Sequence, residues 1–178
     1  MGKGKEVNRH WTTILGVVLV FTLAEISGCG PYRLGTTLPA HLRTVFIPTF
    51  KNSTYQTGIE IDITNEVLQR FRVDGNLEPV SAEEADTVLI GEITGWSRQV
   101  LSYRGDTEES VEEYRLYIAA RITFKDVKNG KVFISQQEVR GKTDFFIEGT
   151  LADSEELARP DAYEDLATQI VDAVVSFW

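Results

Sequence analysis

The chain has 178 residues, 27 of them acidic and 18 basic, for a net charge of −9. Such a balance lacks the clustered Lys and Arg that displace phosphate counterions, which argues against nucleic-acid binding. A single cysteine excludes an intrachain disulfide, a thiolate metal cluster and a redox pair.

At the amino end, Lys3, Lys5 and Arg9 precede an apolar run from Ile14 to Ala24, which leads into Ile26-Ser27-Gly28-Cys29. Positive charge held on the cytoplasmic side, a short apolar segment and small residues before a cysteine are what a bacterial lipoprotein signal peptide requires. Residues 1–28 are therefore expected to be a signal peptide, with Cys29 as the lipid-attachment residue. The apolar run is shorter than the roughly 20 residues that span a bilayer. Glu6 stands where a myristoylation signal wants Ser or Thr. A buried structural thiol is the bland reading of a lone cysteine, but the basic start, apolar run and small residues converge on lipidation. Gly30 replaces the Asp that commonly retains lipoproteins at the inner membrane, so the expected destination is the outer membrane, on its periplasmic side. Without residues 1–28 the net charge is −10, and the roughly 150 remaining residues make one ordinary domain.

Residues 29–43 hold Pro31, Gly35 and Pro39, show no periodicity and read as a lipid-anchored tether; the domain is expected over residues 44–178. The β-branched and aromatic stretch from Thr44 to Phe50 predicts a strand that Pro48 ends or confines to an edge. Lys51-Asn52-Ser53-Thr54 reads as a polar turn. From Gly58 to Arg72, Ile59, Ile63, Val67, Leu68 and Phe71 recur at helical spacing, and Asp74-Gly75-Asn76 stops the helix. Leu77 to Val80 predicts a short strand, and Ser81-Ala82-Glu83-Glu84 has capping-box form, opening one helical turn. The next strand, Thr87 to Trp96, contains Gly91 and Gly95, which signal a bulge or a close backbone approach.

The clearest strand follows. Tyr114, Leu116, Ile118, Ala120, Ile122 and Phe124 alternate with Arg115, Tyr117, Ala119, Arg121, Thr123 and Lys125, so one face is core and the other wet. Asn129-Gly130 announces a hairpin. A three-residue loop pairs Phe124 with Ile134 and Asp126 with Val132, keeping Val132 and Ile134 on the core face. Asp144 to Ile147, after Gly141, reads as a late extended piece. Asp161 opens a closing helix whose stripe is Tyr163, Leu166, Ile170, Val174 and Phe177. The order predicts an α+β two-layer sandwich, a mixed four- to five-stranded sheet with two helices on one face.

Catalytic chemistry has little to work with. His10 leaves with the signal peptide and His41 lies in the tether, so no histidine base or metal ligand is expected in the domain. Asp106, Glu108, Glu109, Glu112 and Glu113 crowd one loop, but without EF-hand spacing or an apolar pocket they read as a solvated surface. No cofactor is expected and the chain does not read as an enzyme. Arg98, Arg104, Arg140 and Lys142 flank predicted strand ends, where cations meet the phosphates of a lipid or the acidic groups of a partner. Arg121 and Lys125, on the wet strand face, complete the candidate contacts. Tyr55, Trp96, Tyr103, Tyr117, Phe145 and Phe146 exceed what a core needs, and a contiguous exposed subset of them would mark an interface.

Cys29-Gly30-Pro31-Tyr32-Arg33-Leu34, the stretch Val45 to Tyr55, the stretch Glu83 to Ile93, and Leu101-Ser102-Tyr103 followed by Glu113-Tyr114-Arg115-Leu116 occur in an order that resembles the lipopolysaccharide-assembly lipoprotein family LptE. The resemblance runs from Cys29 to Phe146, and the terminal helix fits it. The chain departs from the family at Pro31 and in its acidic loop. The resemblance implies an outer-membrane lipoprotein that plugs the lumen of the LptD β-barrel, supports that barrel's assembly and helps deliver lipopolysaccharide to the outer leaflet. Its implied partners are the barrel, lipopolysaccharide and the membrane through the anchor. The rival expectation is a regulatory lipoprotein that activates a cell-wall synthase, which calls for a tether longer than the 14 residues from Gly30 to Arg43.

Overall fold

The computed structural model describes residues 41–103 and 111–177; Cys29, Arg104, Asp106, Glu108 and Glu109 lie outside them. The strands are β1 (Thr44–Phe46), β2 (Lys51–Asn52), β3 (Glu78–Pro79), β4 (Thr87–Tyr103), β5 (Val111–Asp126) and β6 (Val132–Phe146). They form one sheet in the order β3-β1-β4-β5-β6, with β2 pairing β4. β1 runs parallel to β3 and β4, whereas β4, β5 and β6 form a long antiparallel meander. Helices α1 (Ile59–Asp74) and α2 (Leu151–Ser176) supply the second layer. This is the predicted α+β sandwich, with six strands rather than four or five. The first strand stops at Phe46, before Pro48, and Lys51–Asn52, read as a turn, pairs instead with Glu92 and Ile93. Residues 81–84 form a turn, in which Glu84 N donates to Ser81 O at 3.2 Å, rather than a helix.

One apolar core lies between the layers. Leu116, Ile118, Ala120, Ile122 and Phe124 are each 0% exposed, as β5's alternation requires. They meet Ile63, Val67 and Phe71 of α1 and Leu166, Ile170 and Val174 of α2. Thr64 is buried with them because its Oγ1 accepts the N–H of Phe50 at 2.9 Å. Gly91 allows the Phe50 ring to lie where a side chain would project. Gly141 does the same for α2: a Cβ there would stand 2.5 Å from Leu166 N. That contact explains why a glycine sits inside β6, which continues unbroken through it to Phe146 instead of restarting at Asp144.

Two sequence readings shift. The closing helix begins at Leu151, ten residues before Asp161, with Thr150 as N-cap accepting from Asp153 N at 3.2 Å. Pro160 is exposed inside it, and the preceding turns bury Ser154, Glu155 and Ala158. In the hairpin, Phe124 pairs with Ile134 as expected, but Val132 pairs with Lys125 rather than Asp126. The extra residue is Phe133, which bulges to pack against Phe124 and Phe177, at centroid distances of 5.7 and 6.5 Å. Val132 is left 49% exposed, off the core face. Asp126 turns its carboxylate into the loop, accepting from Lys128 N at 2.7 Å and Asn129 N at 3.2 Å.

Asp86 clasps the start of the fold to this hairpin. Its carboxylate accepts from Arg43 N at 3.2 Å, Thr44 Oγ1 at 3.0 Å and Lys128 Nζ at 2.9 Å. These donors, led by Lys128, hold its pKa down at about 2.

Candidate functional site: the open face of the sheet

Both helices pack on one side, so the outward side chains of β4, β5 and β6 have no layer over them among the described residues. Register sets them in rows across the three strands: Glu92, Arg121 and Glu138; Gly95, Ala119 and Arg140; Ser97, Tyr117 and Lys142; Gln99, Arg115 and Asp144. Opposite charges thus face one another across strands, the sheet counterpart of helical ion pairing. A bulge at Thr94 restores outward alternation beyond Ile93. The small pair Gly95 and Ala119 floors a hollow of about 420 Å³ walled by Ser97, Gln99, Tyr117 and Arg140.

The six candidate cations divide into three groups. Arg98, Arg140 and Lys142, expected at strand ends, stand within β4 and β6, because both strands are longer than their apolar patterns suggested. Arg98 points to the helix side and pairs with Glu155 at 2.9 Å. Arg140 pairs with Glu138 at 2.7 Å. Arg121, Lys125 and Lys142 share the open face and make no salt bridge within 4.0 Å among the described residues, although Arg121 acts on Glu92 and Lys142 on Asp144 at longer range. Arg104 falls outside the described residues. Arg115, not counted among the candidates, is the most committed of the outward cations. It binds Asp144 through both Nε and Nη2, the latter at 2.6 Å, which raises its own pKa and lowers that of Asp144. Glu92 is held below the usual carboxylate range, first by the Ser53 hydroxyl, then by Lys51. Glu112 and Glu113, read as part of a solvated loop, belong to β5, where both are half-buried. Among the described residues no group of three His, Cys, Asp or Glu is placed to hold a metal ion. No helix among them is long and apolar enough to cross a membrane.

The helix side carries a polar knot that sequence reasoning missed. Glu155, 5% exposed, accepts from Trp96 Nε1 at 3.2 Å besides pairing with Arg98, and Arg159 Nη2 lies 3.8 Å away. The Arg159 guanidinium covers the indole of Trp96 at 5.4 Å from its centroid, and Tyr163 stands 6.4 Å away at a tilt. Burial pushes the Tyr163 phenol upward. The i,i+4 spacing of Glu155 and Arg159 was the one available signal. It was hidden because the helix was expected to start after both.

The loop after β2 is held by side chains. Asn52 Nδ2 donates to Gln56 O at 2.6 Å and Glu60 Oε2 at 2.9 Å, while its Oδ1 accepts from Thr54 N at 2.9 Å and Thr54 Oγ1 at 2.8 Å. At its tip Tyr55 is fully exposed, at 104% of its reference area. Between residues 53–56 and residues 94–96 lies a cleft of about 310 Å³. Of the surplus aromatics, Tyr55 and Trp96 both border this cleft. Phe145 is buried and stacks on Tyr114 at 5.9 Å, and Phe146, the last residue of β6, is 58% exposed.

The two-layer α+β sandwich is shared by bacterial proteins of low sequence identity. A hypothetical protein of Chlamydia trachomatis is 14% identical with a TM-score of 0.54, over 76% of this chain and 97% of that one. An uncharacterized lipoprotein B of Nitrosomonas europaea is 18% identical with a TM-score of 0.51, over 81% and 92%. A protein of Xanthomonas campestris is 10% identical with a TM-score of 0.54, over 80% and 89%. No curated protein matches the sequence. The profile of the lipopolysaccharide-assembly family LptE matches residues 42–174, and the chain belongs to that family.

Proposed function

We propose that this protein is an outer-membrane lipoprotein, anchored through Cys29 on the periplasmic side, that seats its open sheet face inside an LptD-type β-barrel and supports lipopolysaccharide insertion into the outer leaflet. Family membership supplies the assembly role. The observation that carries the plug is the open face itself: a sheet surface of charged and hydroxyl side chains, with Arg121, Lys125 and Lys142 in no close salt bridge among the described residues, suits the polar interior of a large barrel. The work is binding, and no bond is made or broken. Leu42 is already 3% exposed within the core. Only residues 30–41 therefore separate it from Cys29, a reach of at most roughly 40 Å fully extended. So short a reach favours a partner in the same membrane over a distant cell-wall synthase. The test is recovery of an integral β-barrel with the tagged protein from detergent-solubilised outer membranes. Arg121→Glu with Lys125→Glu is expected to lower that recovery severalfold, and undiminished recovery would remove the assignment.

A further inference from the structure

We propose that the cleft between the Tyr55 loop and the Thr94 bulge is a sugar-binding site that takes the uncharged face of a pyranose ring against Tyr55 and Trp96. Its volume of about 310 Å³ sits at the small end of the roughly 300–1,000 Å³ typical of ligand pockets. None of its lining side chains is charged: they are hydroxyls, one amide, a glycine and two aromatic rings. The one cation beside that set, Arg159, is already committed to Glu155, the Trp96 ring and the Gln56 amide oxygen, so phosphate and carboxylate ligands find no uncommitted counter-charge there. A polyhydroxyl ring finds an apolar face to stack on and hydrogen-bonding groups at its edge.

The Trp96 wall and the backbone of the loop that carries Tyr55 are preorganised. Trp96 is fixed by its Nε1–H bond to Glu155 and by Arg159 over its ring. The loop under Tyr55 is fixed by Asn52, as described, and by Gln56 N donating to Thr54 Oγ1 at 3.2 Å. The Tyr55 side chain, fully exposed, is what remains to be ordered on binding. An extended peptide is a poorer fit because the main chain here is already spent: Ser53 N donates to Ile93 O at 3.0 Å, and Thr54 N and Gln56 N donate to side chains. Strand addition needs such donors free. What the cleft still offers is the Tyr55 hydroxyl and the Gln56 side-chain amide, whose Oε1 faces Arg159 Nη2 at 3.4 Å while its Nε2 remains to donate.

Two envelope polymers carry such rings, and the experiment separates them. The Trp96 indole N–H resonance of the full mature chain in detergent is followed during titration with an uncharged hexose oligosaccharide of the outer lipopolysaccharide core, with the uncharged N-acetylglucosamine disaccharide representing the cell-wall glycan, and with an uncharged tetrapeptide. Saturable binding of either sugar in roughly the millimolar range, weakened about tenfold or more by Tyr55→Ala, supports the site and names its source. Tyr55 is fully exposed, so its truncation leaves the fold intact, and Gln56→Ala provides a second variant expected to weaken the sugar severalfold. Binding of neither sugar, binding unchanged in Tyr55→Ala, or a response to the tetrapeptide alone overturns the proposal. The Arg121 and Lys125 variant is expected to keep its sugar affinity, so failure of the barrel reading and failure of the cleft are told apart.

Discussion

On β5, Leu116, Ile118, Ala120, Ile122 and Phe124 are fully buried under the two helices, while their neighbours Arg115, Tyr117, Arg121 and Lys125 face outward with no layer above them among the described residues. One strand thus serves two environments at a spacing of one residue. The inner face is held by loss of apolar surface from water, worth roughly 1.5–3 kcal/mol for each large side chain. The outer face is held by cross-strand pairs in high dielectric, each worth well under that. Stability therefore belongs to one side of the sheet, and the other side is left to vary with a partner.

The sharpest way to break that contrast is at its centre. Phe124→Ala is expected to cost about 3–5 kcal/mol, because a large ring is removed from a site with no solvent access. A denaturant titration measures it, and a cost below about 1 kcal/mol would contradict the packing. Glu155→Gln tests the polar knot within the covered side. Arg98 and Arg159 would lose the carboxylate they share, while an amide oxygen still accepts from Trp96. Both guanidinium groups keep partial access to water, with side-chain exposures of 43% and 31%. The cost is therefore expected to be about 2 kcal/mol, below that of a sealed ion pair.

Asp86 lies at the margin of both sides and gives the contrast a pH signature. Its folded pKa of about 2 lies below the ordinary 3.8, so the unfolded chain takes up its proton first as pH falls. The clasp's contribution is complete above the ordinary value and is lost as pH drops through the range from 3.8 toward 2. With a fifth of the side chain exposed, solvent screening holds the expected effect of Asp86→Asn to about 1 kcal/mol at neutral pH. The difference between variant and parent is expected to shrink as the medium is acidified through that window. A difference that persists undiminished at pH 2 would show that Lys128 and Arg43 are not what lowers this carboxyl.

The covered side was legible in the sequence and the open side only partly so, for a physical reason. Period-two alternation along β5 and period-3.6 spacing along α1 are properties of single segments, so Phe124 and Val67 were identifiable as core without knowing what they touch. Ion pairing depends on register between segments. Bulges at Thr94, Phe133 and Gln136 change that register where no pattern announces them. Hence Val132 was assigned to the wrong face, and Arg98 was grouped with cations of the opposite side. The helix start failed similarly: Asp161 follows Pro160 and looks like a beginning, but Thr150 with Asp153 supplies a cap eleven residues earlier. Trp96 was noticed as an aromatic in surplus. Its contact with Glu155 joins residues 59 positions apart and leaves no local trace.

The smallest expected effect isolates the open side. Arg121 stands between Glu92 and Glu138 across the two neighbouring strands, and Lys125 lies opposite Val88 and Val132. Neutralising both, as Arg121→Gln with Lys125→Gln, removes exposed charge without placing like charges together, and is expected to change stability by no more than about 0.5 kcal/mol. Arg121→Glu instead sets three carboxylates in one row, so Arg121→Glu with Lys125→Glu is expected to cost up to about 1 kcal/mol more. Added salt should erase most of that difference. If the neutral pair loses barrel recovery while keeping its denaturation midpoint, the recovery defect belongs to the missing charges. If the neutral pair destabilises the domain by as much as Glu155→Gln does, the outer face is structural after all, and a polar plug surface is the wrong description of it.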